Sequence, residues 1–542
     1  MSGAYFDDVF VEAMLDGENW ERIPDVIDGS IAGSWGIPTN DILERMGRPA
    51  KLSFAVDNGS SSSVGANGYT PGHPDVIAGW GTGTRVRAGW TFEGFTVYLA
   101  AQIKPKGITT DPNRWGHTNA QVEAVGWLRY LSEAELELIA YETDLALEDV
   151  AQRILDNMDE QPLNVLLNSG AQTFQAAFDT LQPGDQAMKE LAKAVISEFG
   201  YAYTRRDRTD GETFVVEGAY TRSGTGAADN LPLGLVDSFL IEAEDGFALE
   251  GEDGFLLVGE GTEEAVFTNE SRLNSPEAHH GDGLINFALA ATYPRDVKAS
   301  INLWQTNRRI RVGPGQTVPA IRGSFRDPEG GAQTVVGKNV TVTYDMNTQE
   351  DGGGADFTVD LVVESEQIGA KDVQFDLRNS HPNVAGWVNV TADGDGVYIY
   401  DKVEREARDQ ASIDLNGRSQ ASVDLFYLDD PLEGLAMAQY IVSQSGTAWL
   451  RPRAWEFLAN QSARLMMAWL FMDVGNRVSM VHDYLNIAGI YAINGIEFWM
   501  QPGNVLYYRW ITTEADASEW FLLDESLLVL DRDSVGAGLA PF

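Results

Sequence analysis

The sequence contains no cysteine, which excludes disulfides, thiolate metal sites and a cysteine nucleophile. Positive charge is scarce: 38 lysines and arginines stand against 81 aspartates and glutamates, a formal net charge of −43. A nucleic-acid-binding surface needs a basic patch that displaces counterions, so this balance argues against one. The acidity suits solubility or, in a sharper reading, a wall past which DNA slides without sticking. No apolar run approaches the roughly 20 residues that span a bilayer. The opening "MSGAYFDDVF" has neither a basic start nor an apolar core and predicts no signal peptide. The expectation is a chain made and kept in the cytoplasm, or assembled there into something larger.

Motifs that carry chemistry are equally sparse. The Gly-rich "GWGTGTRVRAG" at 79–89 leads into a strand, so no helix N-terminus is there to hold a phosphate. The six histidines, His73, His117, His279, His280, His381 and His482, form no H-E-x-x-H or H-x-H arrangement. His279 and His280 with Asp282 could make a metal site, but adjacent strand residues point to opposite faces, and a solvated turn is the expectation. Asp393-Gly394-Asp395-Gly396 lacks the further oxygen ligands of a helix-flanked calcium loop and reads as a plain turn. Carboxylate pairs must exist among 81 acids, but the sequence singles out none. Arg205-Arg206-Asp207-Arg208, the one dense basic patch, reads as a solvated or partner-facing turn. Trp90, Tyr98 and Trp127 alternate within strands and read as core, although exposed aromatics would also suit carbohydrate binding. No catalytic, cofactor-binding or metal residue is assigned, no cofactor is implied, and no enzyme is expected.

What the sequence does carry is strand after strand. In "MGRPAKLSFAVDNGSSSSVG" (46–65), Ala50, Leu52, Phe54 and Val56 alternate with Lys51, Ser53, Ala55 and Asp57 before an Asp57-Asn58-Gly59 turn signal. Similar runs fill 4–105, a further strand is expected at 119–131, and strands return over the last hundred residues. Helices are expected at 144–158, at 185–199 with Asp185 as N-cap and Gly200 beyond the end, and at 431–443. The last opens with Asp430 as N-cap, Pro431 at the first position and Glu433 completing a capping box. "YAYTRRDRTDGETFVVEG" reads as a hairpin around Asp210-Gly211. Residues 231–262 hold a near-repeat, Glu244–Phe247 against Glu252–Phe255, read as an inserted hairpin or an acidic loop.

The order of these stretches, more than any single one, resembles the tail hub and minor tail proteins of long-tailed bacteriophages, the baseplate-hub superfamily. "RPAKLSFAVDNGSSSSVG", "GTRVRAGWTFEGFTVYLAAQIKPKGI", "AQVEAVGWLRYLSEAELELIAYETDLALEDVAQRILDNM" and "GDQAMKELAKAVISEFGYAYTRRDRTDGETFVVEG" are similar to successive segments of that family. So are "NLWQTNRRIRVGPGQTVPAIRGSFRDPEGG", "DLNGRSQASVDLFYLDDPLEGLAMAQYIVSQ", "FMDVGNRVSMVH" (with Asn476 where Asp is commoner) and "EWFLLDESLLVLDRDSVG". The resemblance implies a mainly β fold with α+β: two small β-barrels, an α+β domain and an inserted β-sandwich. The corresponding division is a first hub barrel at 1–130, the α+β domain at 131–230 and 403–445, an inserted hairpin element and connection at 231–299, a sandwich at 300–402, and a second barrel at 446–542. It further implies a structural tail-tip protein whose homotrimer forms a pseudo-sixfold ring, closing the tail tube and passing DNA without specific binding. Implied neighbours are the distal tail or tail-tube ring, the tape-measure protein and tail-fibre or receptor-binding proteins, with no membrane span. The implied location is the virion tail tip, assembled in the host cytoplasm. A channel wall lined by Arg85, Arg87 or Arg477 would contradict passive DNA passage. The alternatives are a multi-domain carbohydrate-binding or carbohydrate-active protein, and a hub of a gene-transfer particle or injection machine.

Overall fold

Ala50, Leu52, Phe54 and Val56 are all buried, and strand Arg48–Asp57 forms as their alternation requires. In the computed structural model this strand sits near the middle of a thirteen-stranded sheet. The structure describes residues 6–112, 118–170, 173–218, 266–267, 277–281, 283–328, 330, 335–448, 450–482, 485 and 487–514. The near-repeat at 244–255, His117, Asp282 and the closing "EWFLLDESLLVLDRDSVG" lie outside them, as do the side chains of His279 and His280.

The large sheet runs from Glu277–His280 through Leu450–Leu458, Val505–Glu514 and Ile487–Gln501 to Ala32–Gly36. It continues through Arg48–Asp57, Thr118–Val125, Phe95–Pro112, Arg85–Phe92 and Asp8–Ala13 to Glu21–Arg22. The chain is thus mainly β with α+β, but the expected two small barrels are corrected. Their strands join in one sheet, and no closed barrel occurs among the described residues. The physical reason is the antiparallel pairing of Ala32–Gly36 with Ile487–Gln501, which glycine permits. A Cβ on Gly33 would lie 2.7 Å from the Phe498 ring, and one on Gly495 2.4 Å from the Ile37 carbonyl oxygen. Both strand sets then bury their apolar faces in one shared core.

Six α-helices occur among the described residues: α1 (Leu128–Glu133), α2 (Leu147–Asp156), α3 (Ala187–Glu198), α4 (Gln410–Asn416), α5 (Pro431–Ser445) and α6 (Ala463–Phe471). Where one strand was expected over 119–131, Thr118–Val125 ends at Gly126 and α1 begins, because Leu128 and Leu131 share a buried helical face. Helix α6 was not expected. Its run "ARLMMAWLF" is so uniformly apolar that no polar face marks the period, yet Ser462 caps it by accepting the Leu465 N–H at 3.2 Å. Asp430 caps α5 as expected. Glu433 completes no capping box; its carboxyl accepts from Gln175 Nε2 at 3.3 Å, and burial pushes its pKa up to about 7. Asp185 caps no helix either, but accepts the Gln182 N–H at 2.8 Å and closes the 182–185 turn.

Helices α1, α2, α3 and α5 pack with two three-stranded sheets around a second core. One sheet is Asn164–Leu167, Thr213–Glu217 and Tyr201–Arg205; the other is Val403–Arg408, Phe287–Thr292 and Gln420–Leu425. Residues 295–399 form two facing sheets with their own core around Leu303, Phe375, Leu377, Val388 and Val390. The Asp393–Gly396 run is not the plain turn expected from the sequence. It lies inside strand Gly386–Ile399, where both neighbouring strands bulge. Asp395 secures the bulges by accepting from Ser300 N–H and Asn339 Nδ2.

Candidate functional site

The 206–212 turn of the hairpin is the place where the first strand set and the last meet it. The sequence put Arg206 in a solvated or partner-facing turn; the structure buries it against the chain's own Asp473 and Trp469, and this is a correction. Its guanidinium pairs with Asp473 at 3.1 Å through Nε. Nη2 donates to the carbonyls of Trp469 (2.7 Å) and Met472 (2.9 Å). The plane also lies over the Trp35 and Trp469 rings, at 4.7 and 4.3 Å. Asp473 in turn accepts the Trp35 indole N–H at 2.6 Å and the Arg206 backbone N–H at 3.1 Å. Burial pushes the Arg206 pKa down, while Asp473 pulls it back. One ion pair therefore joins the hairpin, the first strand set and the last.

The rest of the turn repeats the arrangement. Asp207 accepts the backbone N–H groups of Thr209, Asp210 and Gly211, which sets the tight loop. Gly211 has φ +97°, and a Cβ there would lie 2.9 Å from Ala100 N. The loop adds backbone hydrogen bonds to strand Phe95–Pro112, from Tyr98 N–H to the Asp207 carbonyl (2.9 Å) and from Ala100 N–H to that of Gly211 (2.8 Å). Arg87 donates to Glu12 and to the Thr209 carbonyl, each at 2.7 Å, and stacks on Tyr98. Arg208 lies over Phe471 at 4.2 Å. The signal that could have revealed this role was the arginine run beside tryptophan-rich strands, since arginine stacks on aromatic faces.

Glu212 follows the turn, and its carboxyl accepts the Trp127 N–H at 2.8 Å. Burial pushes its pKa up to about 8 from an ordinary value of 4.5, with the Trp127 bond and Arg85 opposing. Below the unfolded value both states hold the proton, whereas between the two values only the folded state does. Stability should therefore fall as pH rises from about 4.5 to about 8, by at most about 1.4 kcal/mol per unit, and level off above. Glu212→Gln keeps the acceptor and is expected to flatten that part of the urea midpoint–pH profile; an undiminished slope would reject the assignment.

Away from its core, the middle of the large sheet shows opposite charges in pairs: Arg509 with Glu497 at 3.6 Å, and Lys104 with Glu123. Trp499 and Tyr507 stack on the same face with centroids 5.6 Å apart. Among the described residues, no group of three or more His, Asp or Glu side chains is placed to hold a metal ion. His73 faces Asp75 at 3.6 Å, His381 accepts the Asn383 and Val384 N–H groups, and buried His482 accepts that of Leu485. Among the described residues, no helix is long and apolar enough to cross a membrane. Trp90 and Trp127 are core as expected, whereas Tyr98 is half-buried beneath Arg87.

No family model matches the chain, and no curated protein matches it. Solved structures do. The tail protein from Neisseria meningitidis MC58 matches at 12% identity over 95% of this chain and 97% of its own, with a TM-score of 0.42. The chain is similar to phage tail proteins. The 43 kDa tail protein of prophage MuSo2 from Shewanella oneidensis matches at 7% identity over 93% and 98%, with a TM-score of 0.45. Prophage tail protein gp18 from Listeria monocytogenes EGD-e matches at 8% over 93% and 94%, with a TM-score of 0.38.

Proposed function

We propose that this chain is a structural hub of a phage tail tip, three copies of which form a pseudo-sixfold ring that closes the tail tube and lets DNA through. The observation that supports this reading most is the joining of the two strand sets. They share one sheet and one core, and the buried Arg206–Asp473 pair ties them to the hairpin between them. A chain that imitates two neighbouring ring subunits needs such a pair held rigidly side by side. The exposed edges of the large sheet would then pair between protomers, which removes the aggregation liability of open strands. In this reading the ring contacts the tube or distal tail ring, the tape-measure protein and the fibres or receptor-binding proteins, and assembles in the host cytoplasm. The channel wall is neutral to acidic; Arg87, with its Glu12 and Thr209 partners, is committed to the fold rather than to phosphate.

The sandwich is peripheral in this reading. Its two ends are adjacent, since Tyr400 N–H donates to the Pro294 carbonyl at 3.0 Å. It rests on the helical unit through Tyr141, Ala176, Val336, Ala370 and Val397, with Arg295 paired to buried Asp179. Replacing 296–399 with a short Gly-rich linker, keeping Arg295, should leave assembly with the tube protein intact. Electron microscopy of particles and light scattering of the tube-bound chain test both points. A monomer or hexamer at the tube end would sink the hub reading, and loss of assembly in the deletion variant alone would move the sandwich into the ring.

A further inference from the structure

A groove of about 620 Å³ lies where the sandwich faces the helical unit. One wall is the 181–183 stretch; the other is made by the strand ends at 322–327 and 371–372. Both walls are held in place before anything binds. The Asp185 turn bonds fix the first, together with the Gly184 N–H on the Leu136 carbonyl at 3.0 Å. Across the groove, Phe325 N–H donates to the Lys371 carbonyl at 2.7 Å and Arg326 N–H to that of Leu303 at 2.9 Å.

Three cations, Arg322, Arg326 and Lys371, converge here in a chain of net charge −43. Arg322 is oriented by Asp372 at 2.8 Å. Asp327 accepts the Tyr398 hydroxyl at 3.0 Å. Lys371 and Arg326 have no ion-pair partner among the described residues. Lys371 is half-buried, and burial pushes its pKa down; Lys193 adds to this, while Asp179, Asp185 and Glu190 oppose it. Keeping a partly desolvated ammonium unpaired is costly, and an incoming anion removes that cost. Leu181, Pro183 and Phe325 line the same groove, so it offers apolar surface beside the charge, and its volume is that of a small-molecule site.

We infer that this groove binds a compact organic anion, a carboxylate or phosphate carried on a body about one or two sugar rings in size. The inference rests on the groove alone and is independent of the tail reading. Calorimetry on the full chain with digalacturonate and glucose 6-phosphate distinguishes the two anion classes; maltose and inorganic phosphate separate charge from body. At least one sugar anion should bind saturably, and more weakly at high salt. Lys371→Gln should weaken it about tenfold, as loss of a charge-assisted contact does, and exposed Arg326→Gln should weaken it less, both with unchanged circular dichroism. Maltose should not bind. Inorganic phosphate binding as tightly as the sugar anions would overturn the organic body. Absence of binding by either sugar anion, or affinity indifferent to both substitutions, would overturn the site.

Discussion

Asp473→Ala is expected to destabilise the protein by about 3–5 kcal/mol, the cost of removing one partner from a buried ion pair. The carboxylate has four dependants: the Arg206 guanidinium, the Arg206 backbone N–H, the Trp35 indole N–H and the Val474 backbone N–H. Alanine leaves all four without that acceptor at a largely buried junction, and Arg206 keeps a charge that burial already disfavours. The two remaining carbonyl bonds and the two rings hold the guanidinium in place without neutralising it. A double variant, Arg206→Met with Asp473→Leu, removes the charge as well as its partner and should recover much of the loss, because paired burial of charge contributes little net stability over apolar packing. Denaturant unfolding followed by tryptophan fluorescence compares the three proteins. A double variant no more stable than Asp473→Ala would show that the cost lies in the orphaned N–H groups and in packing, and not in the stranded charge.

Trp469→Ala should be as severe, again about 3–5 kcal/mol, for a different reason. Trp469 projects from α6 into the shared core and is fully buried. Its ring meets Trp35 at 5.9 Å and Trp90 at 5.2 Å from the first strand set, and Phe498 at 5.2 Å and Tyr508 at 5.5 Å from the last. Alanine opens a cavity at a ring that touches both sets. Hydrogen exchange should therefore quicken at the paired strands Ala32–Gly36 and Ile487–Gln501 before it does in the sandwich, whose core is separate. Trp469→Phe should cost less. Because Arg206 stacks on this ring, its substitution and that of Trp469 should be non-additive. Uniform acceleration across the sandwich and the large sheet would remove Trp469 from its linking role.

Single-strand patterns were legible: the 48–57 alternation, the hairpin at Asp210-Gly211 and the Asp430-Pro431 start of α5 all depend on residues close in sequence. What was hidden depends on distant partners. An arginine in a turn beside Asp-Gly has the local signature of solvent exposure, and only the arrival of Asp473 and Trp469 turns it into the junction. Asp185 and Glu433 carry capping chemistry, but competing donors, the Gln182 backbone N–H and the half-buried Gln175 side chain, claim them. The two-barrel expectation missed the Gly33 and Gly495 contacts, because a glycine in a strand announces a close approach without saying to what. Helix α6 was lost because a segment apolar all round has no period to read. Lys371 and Arg326, far apart in sequence and unremarkable there, meet only on one wall of a groove.

The pairing of Ala32–Gly36 with Ile487–Gln501 also sets an order of events during synthesis. Trp35 and Asp473 are 438 positions apart, so the ribosome completes the helical unit and the sandwich before the second half of the large sheet exists. At elongation rates of about 5–20 residues per second, strand Ala32–Gly36 waits tens of seconds with one edge open. Closing so long a loop is slow, and the waiting edge is the stretch most exposed to wrong partners, other nascent copies of the same chain included. The narrow, glycine-punctuated lip of that strand limits this risk, since Gly33 and Gly36 offer little apolar surface to a stray strand. The cell's burden with this protein is thus one of timing: an early seam must stay unoccupied until its late counterpart emerges.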